Sequence, residues 1–185
     1  MAAPAPCGGV AFIADGGFWE IIERTQNASG GRIQTQTVEL EHCLAELPAA
    51  EIAAFDIEFA RHHDELYSWD LWGAAFLLQN GCGDDCFEYF RSWVIAQGRD
   101  YFEVVRDDPS ALADGRLGDE EEVAEAELLS YVASDTYTRL TGREMWNDYP
   151  DHPGAFDIDE PSGEQWEESE LEAMFPEITP LPLEY

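Results

Sequence analysis

Apolar residues recur along this chain with the period of an α-helix, and no stretch of useful length alternates with the period of a strand. Phe18, Ile21, Ile22 and Thr25 fall at i, i+3, i+4 and i+7, which predicts a first amphipathic helix stopped by Asn27-Ala28-Ser29-Gly30-Gly31. A second helix is expected from about Ile33 to Leu47, with Val38, Cys43 and Leu44 on its less polar face. Pro48 closes it and opens a third, from Ala49 to about Tyr67. Ile52, Phe55, Phe59 and Leu66 line one side of that helix; Asp56, Glu58, Arg61 and Glu65 line the other.

The run Trp69–Leu78 is apolar nearly all round, the pattern of a buried helix, and Gly73-Ala74-Ala75 within it would admit a close neighbour. Asn80-Gly81 is a turn signal. Asp84 or Asp85 is placed to cap a fifth helix that runs to about Gln97 and ends at Gly98, with Cys86, Phe87, Phe90 and Val94 on one face. Shorter helices are expected over Tyr101–Arg106, Glu120–Tyr131 and Asp135–Leu140, and a helical turn or two near Glu167–Phe175. Gly9–Ala14 is a weak strand candidate. After Met145 prolines, glycines and acids dominate, interrupted by Trp146, Tyr149, Phe156, Trp166, Met174 and Phe175. The pattern therefore predicts an all-α fold, a compact orthogonal helical bundle with an irregular, acidic, aromatic-containing C-terminal tail. Residues 1–15 read as a flexible segment, 16–145 as the helical domain and 146–185 as an acidic tail wrapping the body.

Charge narrows the partners. The 185 residues carry 40 acidic side chains against 9 basic ones, all arginine, for a formal net charge of -31. Such a surface repels phosphate backbones and anionic lipid, so nucleic acid and membrane surfaces are excluded as direct ligands, while cations and basic proteins are favoured. An acidic inhibitor that imitates the charge of DNA is a further reading of the same fact. No run approaches the ~20 apolar residues of a spanning helix. No basic residue precedes Arg24, which argues against a secretory signal. Cys7, Cys43, Cys82 and Cys86 are few and irregularly spaced, so they read as thiols and the compartment as cytoplasm. Cys82 and Cys86, at i and i+4, would need His42 or His63 to make even a three-ligand zinc site; no metal and no cofactor are expected.

The candidate chemistry concentrates between Tyr67 and Gly98. Trp69, Trp72, Phe76, Tyr89 and Trp93, with Asn80 at the mouth, suit a flat slot for a small aromatic molecule; the ordinary alternative is that they are core. His62 and His63 are adjacent on a helix, so their rings point about 100° apart. Either can serve as a general acid or base oriented by Asp70 or Asp85, or both can be boundary histidines satisfied by carboxylates. Asp70, Asp84, Asp85 and Glu88 make an acidic corner; alternatively one of the pair Asp84-Asp85 caps helix five and Arg91 neutralises the other. No phosphate-binding glycine loop, serine-hydrolase elbow or zinc-protease motif is present in the sequence.

Phe18-Trp19, Phe55-Asp56 with Phe59, Tyr67-x-Trp69-Asp70-Leu71-Trp72-Gly73-Ala74-Ala75, the segment Gly81 to Gly98 and Thr141-Gly142 together resemble DUF4240, a group of small, mainly bacterial proteins. The resemblance spans most of the chain from Phe18 to the tail. It implies a mostly helical domain and no particular activity. Members of that family tend to carry aliphatic side chains where His62 and His63 stand, and a Gly-Gly and a Ser-Asp-Asp-Gly around the turn where this chain has Asn80-Gly81-Cys82-Gly83-Asp84-Asp85-Cys86. The lysine-free, alanine-rich and acidic usage suggests a high-GC actinobacterium, with a halophile as the alternative.

Two readings of function follow. One is a cytoplasmic binding domain whose aromatic pocket takes a small planar ligand or a basic protein segment. The other is a cofactor-independent enzyme of specialised metabolism, in which His63 or His62 moves a proton for a cyclisation, isomerisation or condensation.

Overall fold

The computed structural model of the protein describes residues 14–118, 120–149 and 160–182. Among these residues ten α-helices follow one another: α1 Ala14–Ser29, α2 Ile33–Ala45, α3 Ala49–Glu65, α4 Trp69–Leu78, α5 Asp84–Ala96, α6 Arg99–Asp107, α7 Glu120–Glu125, α8 Val132–Thr141, α9 Met145–Asp148 and α10 Leu171–Met174. The all-α expectation is met. Among the described residues no strand forms, and Ser68 and Ser162 share only an isolated parallel bridge. The strand candidate at Gly9–Ala14 lies outside the described residues except for Ala14, which begins α1.

α5 is the centre of the bundle. It packs against α1, α3, α4, α6 and α7. Every residue from Phe90 to Ala96 is buried, Arg91 and Ser92 included. The periodicity had pointed to α4 as the all-round buried helix, and the structure reverses the two. α4 sends Leu71, Ala74, Ala75 and Leu78 inward but leaves Trp69, Trp72, Phe76 and Leu77 half-buried. Its second apolar face is covered by residues 160–182 instead of by a helix of the bundle. That segment is pinned at both ends of α4. Trp69 N donates to Ser162 O at 2.8 Å, Ser162 N to Tyr67 O at 3.0 Å, and Leu181 N to Leu78 O at 2.7 Å. Trp166 Nε1 donates to Trp69 O at 2.8 Å.

Gly73 makes this docking possible. A Cβ there would stand 2.8 Å from Leu171 Cδ2 and 2.9 Å from the Trp166 ring, closer than side-chain carbons pack. Ser68 caps α4, its hydroxyl accepting from Leu71 N at 3.2 Å. Asn80, with φ 56°, ends it in the left-handed conformation that asparagine tolerates.

Other expectations shift for local reasons. The N-cap of α5 is Gly83, with no side-chain cap, so Asp84 and Asp85 are first-turn acids that act through the helix dipole. Val38 is 49% exposed, and Gln36 takes the inward place on α2, donating to Ala96 O at 3.0 Å. The helix expected over Glu120–Tyr131 tightens into a 3-10 stretch at Ala126–Ser130, where Ala126 and Leu129 face inward at i, i+3 and Leu128 stays outside. The thiol expectation is corrected: Cys82 and Cys86 form a disulfide that ties the turn after α4 to the first turn of α5, and Cys43 is also disulfide-bonded.

Candidate functional site

α3, α4 and α5 converge on a recess of about 230 Å³. Tyr67, just past α3, Trp72 on α4 and Phe87 on α5 supply its aromatic walls; Asp64, Asp84 and Glu88 its carboxylates; Arg91 its cation. The walls are set by ring packing. Trp72 and Phe87 lie nearly parallel, 12° apart with centroids at 5.0 Å, and Tyr67 stands 6.1 Å from Phe87. Trp69 stacks on the outer face of Trp72 at 5.2 Å. Trp72 Nε1 donates to Cys82 O at 2.8 Å, so the disulfide-bonded turn also fixes the rotation of this indole.

Arg91 is the unusual member. It is one turn along α5 from Phe87, on the same face, and is only 5% exposed. Its Cζ lies 4.4 Å from the Tyr67 ring centroid and 5.2 Å from that of Phe87, within cation–π range. Nη1 donates to His63 O at 3.1 Å. That carbonyl belongs to the last turn of α3, where a helix leaves its carbonyls without intrahelical donors. Nε is buried without an acceptor among the described residues. Arg61, Arg99, Arg106, Arg139 and Arg143 each hold a carboxylate at ion-pair distance, whereas Arg91 holds none among the described residues. Burial lowers its pKa to about 10, against the opposing pull of Tyr67, Glu88 and Asp64, so it remains a cation at neutral pH. The Glu88 carboxyl is pushed up, first by burial and then by the nearby Asp85 and Glu127, with Arg91 opposing.

The six residues expected to form one slot are dispersed rather than gathered. Only Trp72 lines this recess. Trp69 packs edge-on against Trp166 beneath the C-terminal segment. Phe76 and Asn80 border a separate, open groove of about 690 Å³ with Leu171, Glu172 and Pro180. Tyr89 is half-buried and its hydroxyl bonds Glu127. Trp93 is fully buried, 3.4 Å through Nε1 from Glu122 and edge-on to Tyr101.

The two histidines are buried and face different neighbours. His62 sits among Phe18, Trp19 and Phe102, with ring centroids at 5.0, 4.6 and 4.9 Å. Its Nε2 lies 3.0 Å from Arg61 Nη2, where it can only accept, and its Nδ1 lies 3.9 Å from Glu65 Oε2. His63 faces α5, where Nε2 lies 3.0 Å from Glu88 O and must be the protonated nitrogen. Burial, then Arg91, lowers its pKa to about 3, with the Glu88 carbonyl opposing. Asp70 and Asp85, expected to orient a catalytic ring, are both exposed. His152 lies outside the described residues. Among the described residues no three His, Cys, Asp or Glu side chains converge to hold a metal ion.

Sequence periodicity missed Arg91, Tyr67 and Asp64 as site residues. One signal was available: Arg91 follows Phe87 by four residues and Phe90 by one, a guanidinium set on the apolar face of a helix.

The fold and recess define an all-α domain with a buried arginine lining an aromatic-walled recess. The chain belongs to the DUF4240 family, described as a protein of unknown function, whose sequence profile matches residues 14–139. The recess lies wholly inside the matched span, whereas the segment covering α4 lies beyond it. No curated protein matches the chain, and no solved structure does. No helix among the described residues is long and apolar enough to cross a membrane.

Proposed function

We propose that this protein is a binding domain whose recess between α3, α4 and α5 takes a small ligand against Tyr67, Trp72 and Phe87. The observation that carries the reading is Arg91. A guanidinium that is nearly fully buried, lacks a carboxylate at ion-pair distance among the described residues and lines a cavity is costly to fold unless something else uses it. A ligand would supply the acceptors.

Binding is favoured over acid–base catalysis by the state of the histidines. His63 is neutral at any physiological pH and its Nε2 proton is engaged by the Glu88 carbonyl. His62 Nε2 is engaged by Arg61. A proton shuttle needs a ring that titrates near neutrality and reaches the reacting atom. The DNA-mimic reading rests on net charge alone. The cytoplasmic assignment loses one of its supports, because disulfides persist in oxidising compartments.

The test is a thermal-shift and tryptophan-fluorescence screen of small aromatic acids, amines and amino acids, run on the native chain and on Trp72→Leu. The expected result is a ligand that raises Tm and perturbs emission in the native chain and does neither in the variant. Absence of any ligand with that signature overturns the reading.

A further inference from the structure

We infer that the ligand of this recess is amphoteric, a small molecule of the α-amino acid type whose carboxylate meets Arg91, whose ammonium meets the carboxylates of Asp64, Asp84 and Glu88, and whose flat apolar side chain lies against the aromatic walls. The inference rests on the binding reading above and adds the chemical class.

The argument begins with supply and demand of charge. In a chain with 40 carboxylates and 9 arginines, an arginine without an ion pair is not short of candidates. Arg91 is kept from them by position: one N–H is given to His63 O and two faces of the guanidinium environment are the rings of Tyr67 and Phe87. A guanidinium has five donors in a planar fork that matches a carboxylate. No described protein group fills that fork, and Nε in particular has no acceptor.

The same cavity carries the opposite sign at Asp64, Asp84 and Glu88. A simple anion would meet these three carboxylates, and a simple cation would meet Arg91. A molecule bearing both charges has a counter-charge for each. A bare divalent cation is a poor alternative, since no three such side chains among the described residues converge on one point. Size restricts the class further. The recess, at about 230 Å³, is smaller than the roughly 300–1,000 Å³ of sites that bury a drug-sized ligand. An amino acid with one ring is of the right order.

Calorimetric titration of the full chain with L-phenylalanine, 3-phenylpropionate and phenethylamine tests this directly. The three share a side chain and differ in which charge is present. L-phenylalanine should bind at least tenfold more tightly than either of the others. Glu88→Gln should weaken L-phenylalanine several-fold while leaving 3-phenylpropionate unchanged. Arg91→Lys, which keeps the charge and loses the fork, should weaken L-phenylalanine and leave phenethylamine unchanged; near-UV circular dichroism reports whether either variant is folded, and Glu88→Gln decides if Arg91→Lys is not. Equal binding of either single-charge analogue overturns the inference, as does L-phenylalanine binding that ignores a folded Glu88→Gln. If L-phenylalanine fails while another ligand from the wider screen is lost in Trp72→Leu, the amphoteric class is wrong and the binding domain stands. If nothing occupies the recess, both fall.

Discussion

Arg91 and His63 clamp α3 to α5 in a reciprocal pair. The Arg91 guanidinium on α5 donates to the His63 carbonyl at 3.1 Å, and the His63 imidazole on α3 donates to the Glu88 carbonyl at 3.0 Å. Each side chain crosses to the other helix's backbone, so neither depends on a charged partner to stay in place. This leaves most of the guanidinium unspent at the edge of the recess.

Replacing Arg91 by methionine should therefore separate stability from binding. The variant loses one hydrogen bond, worth about 1 kcal/mol. It also removes a buried charge that has no carboxylate at ion-pair distance among the described residues, although Glu88 and Asp64 attract it from further off, and relief of that kind has reached about 1–4 kcal/mol where apolar residues fill the space. Urea denaturation is expected to place Arg91→Met within about 1 kcal/mol of the native chain, or above it, while ligand binding is lost. Destabilisation beyond about 3 kcal/mol would mean that the residue is kept for the clamp alone.

His63 imposes a pH dependence of definite sign. Its pKa is lowered from 6.5 to about 3 in the fold, so between those values the unfolded chain binds the extra proton. The stability it contributes is complete above about pH 6.5 and is lost as pH falls towards 3, on the order of 5 kcal/mol in all. Glu88, with its carboxyl raised, acts oppositely: its contribution is present at low pH and lost as pH rises. Comparing unfolding free energies of native and His63→Gln protein across pH 3–7 isolates the histidine, because the variant keeps an N–H donor without the titration. The native chain should lose stability more steeply on acidification; parallel curves would contradict the burial of a neutral ring.

Gly73→Ala should loosen the C-terminal segment and spare the bundle. The added methyl meets Leu171 and Trp166 at under 3 Å, so the segment must shift, at a cost of roughly 1–3 kcal/mol typical of overpacking. Limited proteolysis should then cut within residues 160–182 at protease levels that leave the native chain intact, with helical circular dichroism unchanged.

The double variant Cys82→Ser/Cys86→Ser should lose about 2 kcal/mol by the loop-closure entropy of so short a ring. The turn it frees carries the carbonyl that holds Trp72 Nε1. Ligand affinity should fall with it, since the wall would no longer be preorganised. Melting curves and titrations on the same sample decide both.

Trp93→Phe should do the reverse, costing about 1–3 kcal/mol through lost volume and the Glu122 contact while changing ligand affinity by less than twofold. A large loss of affinity with unchanged stability would move Trp93 from core to site.

The order of α1 to α8 was legible because their causes are local, whereas α9 falls where the sequence had suggested an irregular tail. Three- and four-residue spacing of apolar side chains, Ser68 before α4, Asn80 after it and Pro48 between α2 and α3 act within a turn or two of chain. The boundaries of α3, α4 and α5 accordingly match the periodicity closely. The aromatic stretch from Tyr67 also stood out in the sequence, and Trp72 within it lines the recess.

What the chain pattern could not assign was which apolar face meets which neighbour. α4 reads as more hydrophobic than α5, yet α5 is the enclosed helix, because burial is conferred by the five helices around it rather than by its own composition. Trp69, Phe76 and Trp93 share a short segment but point to three surroundings, since helix rotation and the return of residues 160–182 sort them. The cysteines likewise were decided by distance in space: spacing of four is ambiguous until the turn after α4 folds back on α5.

By itself, then, the sequence determined an acidic all-α domain of known family and the local signals that start and stop its helices, because those depend on neighbours a few residues away. Tertiary structure alone decided that Arg91 would be buried beside Tyr67 and Asp64, 24 and 27 positions earlier on another element. A charge's surroundings are a property of the packed helices, and no periodicity in the chain encodes them.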